Sequence, residues 1–308
     1  MESAIKIEQL TKAFAERMVL DHISFEVKVG QVHGFLGPNG AGKSTTMKIL
    51  SGILAPSSGN ISILGLTLDK NLDEIKKQIG ILPENPPLYS DMKVVDYLKL
   101  ALDLRQIKGT THLDYALEKT GLTDVKNRLI GNLSKGFKQR VGVAQAIVTK
   151  PKIIILDEPT VGLDPASILE MRSLIRSLAP EHTVIYSSHL LHEVALTCTH
   201  ISIIHKGKIV SSGALNEIEQ RFVVGKKIRF ELSNIHQSLI EGIKKFSYVK
   251  EALVDGQQLF LHLTGKEERR PELLRYMLEQ KVDVLEMVSE KHDLEDIFLE
   301  LTKEGTKV

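Results

Sequence analysis

Hydrophobic and polar residues follow two different periods along the chain, and the changes between them predict its elements. Residues 5–29 show alternating short strands and turns, and the apolar runs "ISFEV" and "VHGFLG" are the clearest strands. From Thr45 the spacing becomes helical through "TTMKIL", stops at "SGILAPSSG" and returns to a strand at "NISILG". After "IGILPENPPLY" the chain is predicted to be mostly helical to about Lys150, with one helix beginning near Ser134.

The segment after Lys150 alternates between strand and helix patterns. "KIIIL", "TVIYSS" and "HISIIHKGKIV" are strand patterns, and "ASILEMRSLIRSL" and "LLHEVALTC" are helical patterns that separate them. Such βα units build a mostly parallel sheet. We therefore expect an α/β domain over residues 1–220, in which residues 85–150 or so form a helical subdomain.

The last part of the chain has a different order of elements. Residues 221–308 are predicted to contain β, α, β, β, α and β elements, from "KKIRFEL" to "VLEMVSE". This order is typical of a ferredoxin-like module, so a small C-terminal α+β accessory domain is expected. The closing segment "LEDIFLELT" predicts a short amphipathic helix docked on one of the two domains.

Composition narrows the class of protein further. A length of 308 residues suits one large and one small domain. The 40 basic and 39 acidic residues nearly cancel, which argues against a strongly nucleic-acid-directed chain. The single cysteine, a charged N-terminus and the lack of an apolar run of ~18–20 residues favour a cytoplasmic protein that reaches a membrane only through a partner.

A phosphate-binding loop is the strongest chemical signal. "GPNGAGKST" fits G-x-x-x-x-G-K-[ST] between a predicted strand and a predicted helix, a context that makes a merely structural glycine turn improbable. Backbone N–H groups of such a loop face phosphate oxygens, the lysine faces the terminal phosphates, and the serine hydroxyl faces Mg²⁺. The candidate nucleotide-binding residues are Gly37, Pro38, Asn39, Gly40, Ala41, Gly42, Lys43, Ser44 and Thr45.

Two adjacent acidic residues end the apolar strand pattern of "KIIILDEPT". A buried parallel strand ends at the ligand-binding edge of its sheet, so Asp157 is a candidate Mg²⁺ ligand together with Ser44. Glu158 is a candidate general base for the attacking water. A solvated acidic turn would be the simpler interpretation of this segment alone, but the phosphate loop makes it improbable.

Four segments together resemble a known family. "GPNGAGKST", "LSKGFKQR", "IIILDEPTVGLDP" and "SSH" occur in the order and spacing of the ATP-binding subunits of ABC transporters, over residues 1 to about 220. The resemblance implies a P-loop NTPase of ABC type, with a mixed-sheet core and a helical subdomain. It further implies ATP and Mg²⁺ as cofactors and ATP hydrolysis coupled to transport.

The resemblance assigns the "LSKGFKQR" segment to the second ATP of a dimer. In that family an LSGGQ-type signature closes over the ATP held by the phosphate loop of another subunit, which would place Ser134 and Gly136 on a neighbour's nucleotide. A serine hydroxyl and free N–H groups at a helix start form an anion site. Taken by itself, the segment would be a simple helix N-cap. Lys135 and Phe137 depart from the pattern. Lys135 either adds positive charge near that ATP or points to solvent.

Three more residues gain roles by the same resemblance. Phe14 matches the aromatic residue that stacks on adenine, with a core phenylalanine as the alternative. His189 matches a switch histidine that senses the γ-phosphate and positions the water. Glu84 stands where most members carry a glutamine that links Mg²⁺ and water to the membrane subunit. This substitution keeps an acceptor and loses a donor. The Leu-Pro-Glu form of this segment also resembles an export branch of the family that handles drugs, polysaccharides and lipids.

The resemblance also implies partners. These are an integral-membrane permease and a second copy of the same chain, with the ATPase peripheral on the inner face of the cell membrane. Pro86, Pro87, Leu88 and Tyr89 lie where the family contacts a cytoplasmic helix of the permease, or else they form a rigid exposed turn. The alternative function is a non-transport ABC ATPase acting on nucleic acid or ribosomes, but neither the charge balance nor the single set of motifs favours it.

Overall fold

The computed structural model describes residues 2–222, 226–265 and 268–290. It divides into two compact units, Met1–Leu215 and Asn216–Val308, so the observed division lies five residues before the expected position at 220. The helix predicted in "LEDIFLELT" lies outside the described residues. In the described part of the chain, no helix is both long and apolar enough to cross a membrane.

The first unit contains two sheets and seven helices within its described residues. The antiparallel sheet has the strand order β2-β1-β4-β5, and the six-stranded sheet has the order β10-β9-β3-β8-β7-β6. The strands are β1 Ser3–Phe14, β2 Arg17–Lys28, β3 Val32–Leu36, β4 Ser58–Ile63, β5 Leu66–Thr67, β6 Ile79–Leu82, β7 Ile153–Asp157, β8 Thr183–Ser188, β9 His200–His205 and β10 Lys208–Ala214. The helices are α1 Lys43–Leu50, α2 Leu72–Gln78, α3 Val94–Leu104, α4 Thr111–Lys119, α5 Lys135–Ile147, α6 Pro165–Leu178 and α7 Leu191–Thr197.

The six-stranded sheet determines where the chemistry lies. Its strands are parallel except for the antiparallel pair β9–β10, so the sheet is mixed as expected. β3, β7 and β8 are buried along their whole length, which explains their continuous apolar pattern. Because β3, β7 and β8 are parallel neighbours, the loops after Leu36, Asp157 and Ser188 meet at one edge.

The N-terminal hairpin differs from its prediction. β1 and β2 are two strands of 12 residues each rather than several short ones. Their pairing is interrupted by register shifts, and Gln9 and His22 have positive φ values of 52° and 50°. Bulges of this kind break the two-residue alternation of side chains, so a long strand looks like several short strands in the sequence.

The helical subdomain lies between β6 and β7. It consists of α3, α4, two 3-10 turns at Thr123–Val125 and Ile130–Asn132, and α5. Ser134 is the N-cap of α5, and its hydroxyl accepts a hydrogen bond from Phe137 N. The sequence therefore located the start of this helix correctly, although it did not indicate α2.

The second unit has its own hydrophobic core. Helix α8, Leu215–Phe222, crosses the boundary between the units. It is followed by β11 Lys226–Leu232, α9 Gln237–Ile243, β12 Val249–Asp255, β13 Gln258–Leu263, α10 Arg270–Glu279 and β14 Val284–Glu290. The four strands form an antiparallel sheet in the order β12-β13-β11-β14. Its core is formed by side chains of the sheet together with Leu239 and Ile243 of α9 and Leu273 and Met277 of α10.

Candidate active site

The loop between β3 and α1 needs its glycines for two reasons. Gly40 and Gly42 have φ values of 80° and 114°, a region that residues with a side chain rarely adopt. At Gly37 a Cβ atom would lie 2.4 Å from the carbonyl oxygen of Ile204. A side chain at Gly37 is therefore excluded by the neighbouring backbone.

Lys43 is buried within this loop. Its side chain is only 5% exposed, and its Nζ donates hydrogen bonds to Gly37 O at 2.8 Å and to Pro38 O at 3.3 Å. It also forms an ion pair with Glu158 Oε1 at 3.2 Å. The ammonium group thus joins the phosphate loop to the acidic end of β7.

Asp157, the last residue of β7, faces the first turn of α1. Ser44 Oγ lies 3.3 Å from Asp157 Oδ1. Ser187 Oγ of the neighbouring strand β8 donates to the same carboxylate oxygen at 2.5 Å. Carboxylate and hydroxyl oxygens are the ligands that Mg²⁺ prefers, so Ser44 and Asp157 fit a magnesium site.

Glu158 has a strained backbone and a well-held side chain. Its φ value of 49° is uncommon for a residue with a side chain, and such strain often marks functional positions. Its N–H donates to Ser187 Oγ at 3.0 Å, and its Oε2 lies 2.9 Å from Nδ1 of His189. The carboxylate therefore contacts Lys43 with one oxygen and His189 with the other.

Lys43, Ser44, Glu158 and His189 line a common cleft with a volume of about 490 Å³, whereas Asp157 and Ser187 are not part of its lining. Asn39, Thr45 and Glu84 also border it, so it collects residues that are far apart in the sequence. The complete lining is Arg17, Val19, Asn39, Gly40, Gly42, Lys43, Ser44, Thr45, Glu84, Glu158, Val161 and His189. Pro38 and Ala41 shape the loop instead, because Pro38 O accepts Ala41 N at 3.2 Å and Ala41 O accepts Gly207 N at 3.1 Å.

Several site residues have no signal in the sequence. Arg17 and Val19 reach the cleft from the start of β2, and Val161 reaches it from the loop after β7. Ser187 is fully buried behind the two acidic residues. The β7–β8 pairing aligns Asp157 with Ser187, and the sequence could indicate this contact only if the strand order were known.

Phe14 lies at the end of β1, opposite Arg17 across the hairpin turn. Its side chain is 48% exposed, and Lys12 Nζ is 5.0 Å from the ring centroid. Phe14 is not a core residue, so that alternative is wrong. The ring does not line the cleft described above, although its hairpin neighbour Arg17 does.

The start of α5 lies against the loop after β7. Gly136 is buried, and a Cβ atom at this position would lie 2.6 Å from Ser167 Oγ. Ser167 in turn donates its backbone N–H and hydroxyl to Asp164, which lowers the pKa of that carboxyl group. The Lys135 side chain extends over Gly162, where a Cβ atom would be 2.0 Å from its Nζ. Ser134 and Gly136 do not line the cleft of their own chain.

A strand, a phosphate-type loop and a helix, facing two acidic residues at the edge of a parallel sheet, define a P-loop nucleotide-binding protein. The family model described as ABC transporter matches residues 20–161. The bacitracin transport ATP-binding protein BcrA of Bacillus licheniformis is 36% identical over 99% of this chain and 99% of its own length. The linearmycin resistance ATP-binding protein LnrL of Bacillus subtilis is 31% identical over 97% of this chain and 98% of its own.

Solved structures agree with these relatives. The cbiO1 protein from Clostridium perfringens, part of the ABC transporter complex cbiONQ, is 30% identical with a TM-score of 0.64, covering 72% of this chain and 94% of that one. The chain therefore belongs to the ATP-binding subunits of ABC transporters. As a member of this family it hydrolyses ATP to power a membrane transporter, and its family partners are membrane permeases. The predictions of an ABC-type P-loop NTPase fold, of the family and of ATPase activity are confirmed.

Proposed function

We propose that Glu158 is the general base of ATP hydrolysis in this subunit. The observation that carries this proposal is the position of its carboxylate, 3.2 Å from Lys43 Nζ and 2.9 Å from His189 Nδ1 in the cleft of the phosphate loop. A base must lie within reach of the attacking water and close to the γ-phosphate. Lys43 marks the phosphate side of the cleft, and His189 holds the other carboxylate oxygen.

Mg²⁺ is the second part of the proposal. When bound, the ion neutralises phosphate charge during phosphoryl transfer. Ser44 and Asp157 supply the hydroxyl and carboxylate oxygens, and Ser187 orients Asp157 through its hydrogen bond. Glu84 borders the same cleft and offers a further carboxylate to the metal or to its water.

We further propose that two copies of the chain close over two ATP molecules. Ser134 and Lys135 are exposed, and the first N–H groups of a helix can bind an anion, although Phe137 N already donates to Ser134 Oγ. Because Ser134 and Gly136 do not line their own cleft, they are suited to bind the nucleotide of another copy. One set of motifs per chain makes a homodimer with two equal sites the simplest assembly.

The permease contact is proposed around the segment after β6. Pro86 and Leu88 line a cleft of about 270 Å³ that also contains Glu84, and Tyr89 is 54% exposed beside it. This surface connects directly to the nucleotide cleft through Glu84 and Val161, which line both clefts. A permease helix bound here would hold the ATPase on the inner face of the cell membrane. No nucleic-acid partner is expected.

The transporter is proposed to be an exporter. The names of two full-length relatives refer to bacitracin transport and to linearmycin resistance, and a third relative, from Streptococcus pyogenes, is a lantibiotic transport protein. Both full-length matches include the second unit of this chain. We propose that this unit is a ferredoxin-like accessory domain that reinforces the homodimer. Sensing of a regulator is the alternative role, which truncation after Gly213 would favour if ATP-driven dimerisation remained unchanged.

The assembly is tested by light scattering with Glu158→Gln protein and ATP without Mg²⁺. We expect the mass to double on addition of ATP, because the variant binds ATP but hydrolyses it ~10²–10⁴-fold more slowly. Adding Ser134→Arg should abolish the doubling. Ser173→Arg is the control, because Ser173 is an exposed residue of α6, and this change should leave the doubling of mass intact. Wild-type protein that hydrolyses ATP while it remains a monomer would contradict the proposed homodimer.

A further inference from the structure

A buried ion pair lies beside the candidate active site and has no part in the chemistry proposed above. Arg172 of α6 and Glu193 of α7 have side chains that are 14% and 11% exposed, with 3.6 Å between Arg172 Nε and Glu193 Oε2. Glu193 Oε2 has no hydrogen-bond partner among the described residues. Arg172 is thus the cation that balances this buried carboxylate.

A second arginine of α6 holds the C-terminal end of α7. The Arg176 guanidinium, one turn further along α6, donates a hydrogen bond to the carbonyl oxygen of Leu196. Below these contacts lie the buried side chains of Tyr186 and Cys198, and burial raises the pKa of both. Two polar contacts therefore hold α7 on α6. The buried side chains next to these contacts, Tyr186 and Cys198, are uncharged.

The connection between β8 and α7 explains why the position of α7 matters. β8 ends at Ser188 and α7 begins at Leu191, so only His189 and Leu190 lie between them. Leu190 N donates to Ser188 Oγ at 3.0 Å, which shortens the link further. With so short a link, a shift of α7 moves the backbone of His189 relative to Glu158.

Stability alone does not account for the pair. A buried ion pair loses hydration on folding, and well-packed apolar residues of similar size often replace it without loss of stability. What a buried ion pair can add is specificity of packing, because the two charges lose their favourable interaction when either helix shifts. We propose that Arg172 and Glu193 are positioning residues that fix α7 on α6 and so keep His189 Nδ1 within bonding distance of Glu158. This inference rests on the proposed role of His189.

The test is a double-mutant cycle with His189. Arg172→Met keeps an unbranched side chain and removes the charge, and we expect kcat to fall about 10-fold to 100-fold, since a misplacement of ~1 Å can cost ~10²-fold. KM for ATP should change much less, because the phosphate loop is untouched. In a His189→Ala background, Arg172→Met should cause no further loss. Arg172→Lys should restore most of the activity.

Controls separate positioning from folding. Lys119→Met breaks the ion pair with Glu181 at 2.6 Å, between α4 and the turn before β8, and should leave kcat unchanged. Glu193→Gln, which nearly preserves shape, replaces Arg172→Met if that variant does not fold. Imidazole NMR signals of ATP-free protein provide a readout independent of activity. The His189 signal, assigned by its loss in His189→Ala, should shift in Arg172→Met and stay in Lys119→Met.

The outcomes distinguish this inference from the proposal on which it rests. One outcome is a double variant whose loss of kcat equals the product of the losses in Arg172→Met and His189→Ala. That result would overturn the positioning role and leave the role of His189 intact. An unshifted His189 signal in Arg172→Met would overturn it as well. Wild-type activity in His189→Ala would instead refute the proposed role of His189, and the inference would fail with it.

Discussion

Removal of the Ser187 hydroxyl tests whether the acidic end of β7 depends on its neighbouring strand. Ser187 is fully buried, donates to Asp157 Oδ1 at 2.5 Å and accepts from Glu158 N at 3.0 Å. Ser187→Ala deletes one oxygen and leaves almost no cavity. The variant therefore isolates the two hydrogen bonds.

The expected loss of stability follows from these two bonds. An unsatisfied buried N–H group costs about 1–3 kcal/mol, and a hydrogen bond to a charged group contributes about 1.5–3 kcal/mol. Asp157 keeps Ser44 Oγ at 3.3 Å, which offsets part of the second loss. We expect Ser187→Ala to lower the free energy of unfolding by about 2–4 kcal/mol, a large share of the ~5–15 kcal/mol typical of a domain.

Ser188→Ala is the matched control. Its side chain is equally buried and lies next along β8, but its hydroxyl accepts the N–H of Leu190 instead. We expect a cost of about 1 kcal/mol for this variant. Both variants keep the β-strand backbone and lose the same single atom. The difference between them thus measures the contacts to Asp157 and Glu158.

Urea unfolding followed by far-ultraviolet circular dichroism measures the effect, since the chain contains no tryptophan. With a slope of about 1–3 kcal/mol per molar urea, the midpoint of the affected transition should fall by roughly 1 M more in Ser187→Ala than in Ser188→Ala. The Mg²⁺ concentration that half-saturates ATP hydrolysis should also rise, because Asp157 is no longer oriented. Equal midpoints and equal Mg²⁺ dependence in the two variants would refute the reasoning.

Three further outcomes are expected. Phe14→Ala should raise KM for ATP about 5-fold to 150-fold with kcat unchanged, since stacking on a base contributes ~1–3 kcal/mol. An unchanged KM would exclude Phe14 from the adenine site. Gly162→Ala should lower the free energy of unfolding by about 1–2 kcal/mol, because Gly162 has a φ of 67°. The flexible end of Lys135 can move away from the new Cβ atom, so urea titrations should give the same loss in a Lys135→Gly background. A smaller loss in that background would contradict the backbone explanation. Burial lowers the pKa of His33 from 6.5 to about 3. Between pH 6.5 and 3 the unfolded chain therefore binds a proton that the folded chain does not, and the free energy of unfolding should fall as the pH drops through this range. His33→Leu should flatten this part of the plot of unfolding free energy against pH.

The parts of the site that the sequence predicted are those encoded by consecutive residues. The phosphate loop and the Asp157–Glu158 pair each lie within one short segment, next to a strand whose burial makes it continuously apolar. Such patterns need no knowledge of distant contacts. A mostly parallel sheet followed from the alternation of strand and helix patterns, and the helical subdomain followed from the helical pattern before Lys150; the structure confirms both.

The parts that the sequence did not predict depend on pairings across long separations. Ser187 reaches Asp157 because β8 pairs in parallel with β7, and serine by itself has no signal. Arg17 enters the cleft because a bulged hairpin brings its turn to the phosphate loop. Arg172 and Glu193 are separated by a strand and meet only after α6 and α7 have packed together. Each of these contacts requires the strand order or the helix packing to be known first.

The contacts of Lys43 offer a way to couple ATP binding to the proposed role of Glu158 in one cleft. Its ammonium group donates hydrogen bonds to Gly37 O and Pro38 O and forms an ion pair with Glu158 Oε1. A phosphate that binds this lysine competes with these three oxygens. Glu158 is the one that carries a negative charge and is repelled by the phosphate, whereas the two carbonyl groups belong to the loop itself. Displaced from Lys43, the carboxylate keeps its contact with His189, and the Glu158 backbone stays held through its N–H to Ser187. If Glu158 is the general base proposed above, arrival of the phosphate would free it from the neighbouring cation where the water must be activated, and hydrolysis would then require an occupied loop.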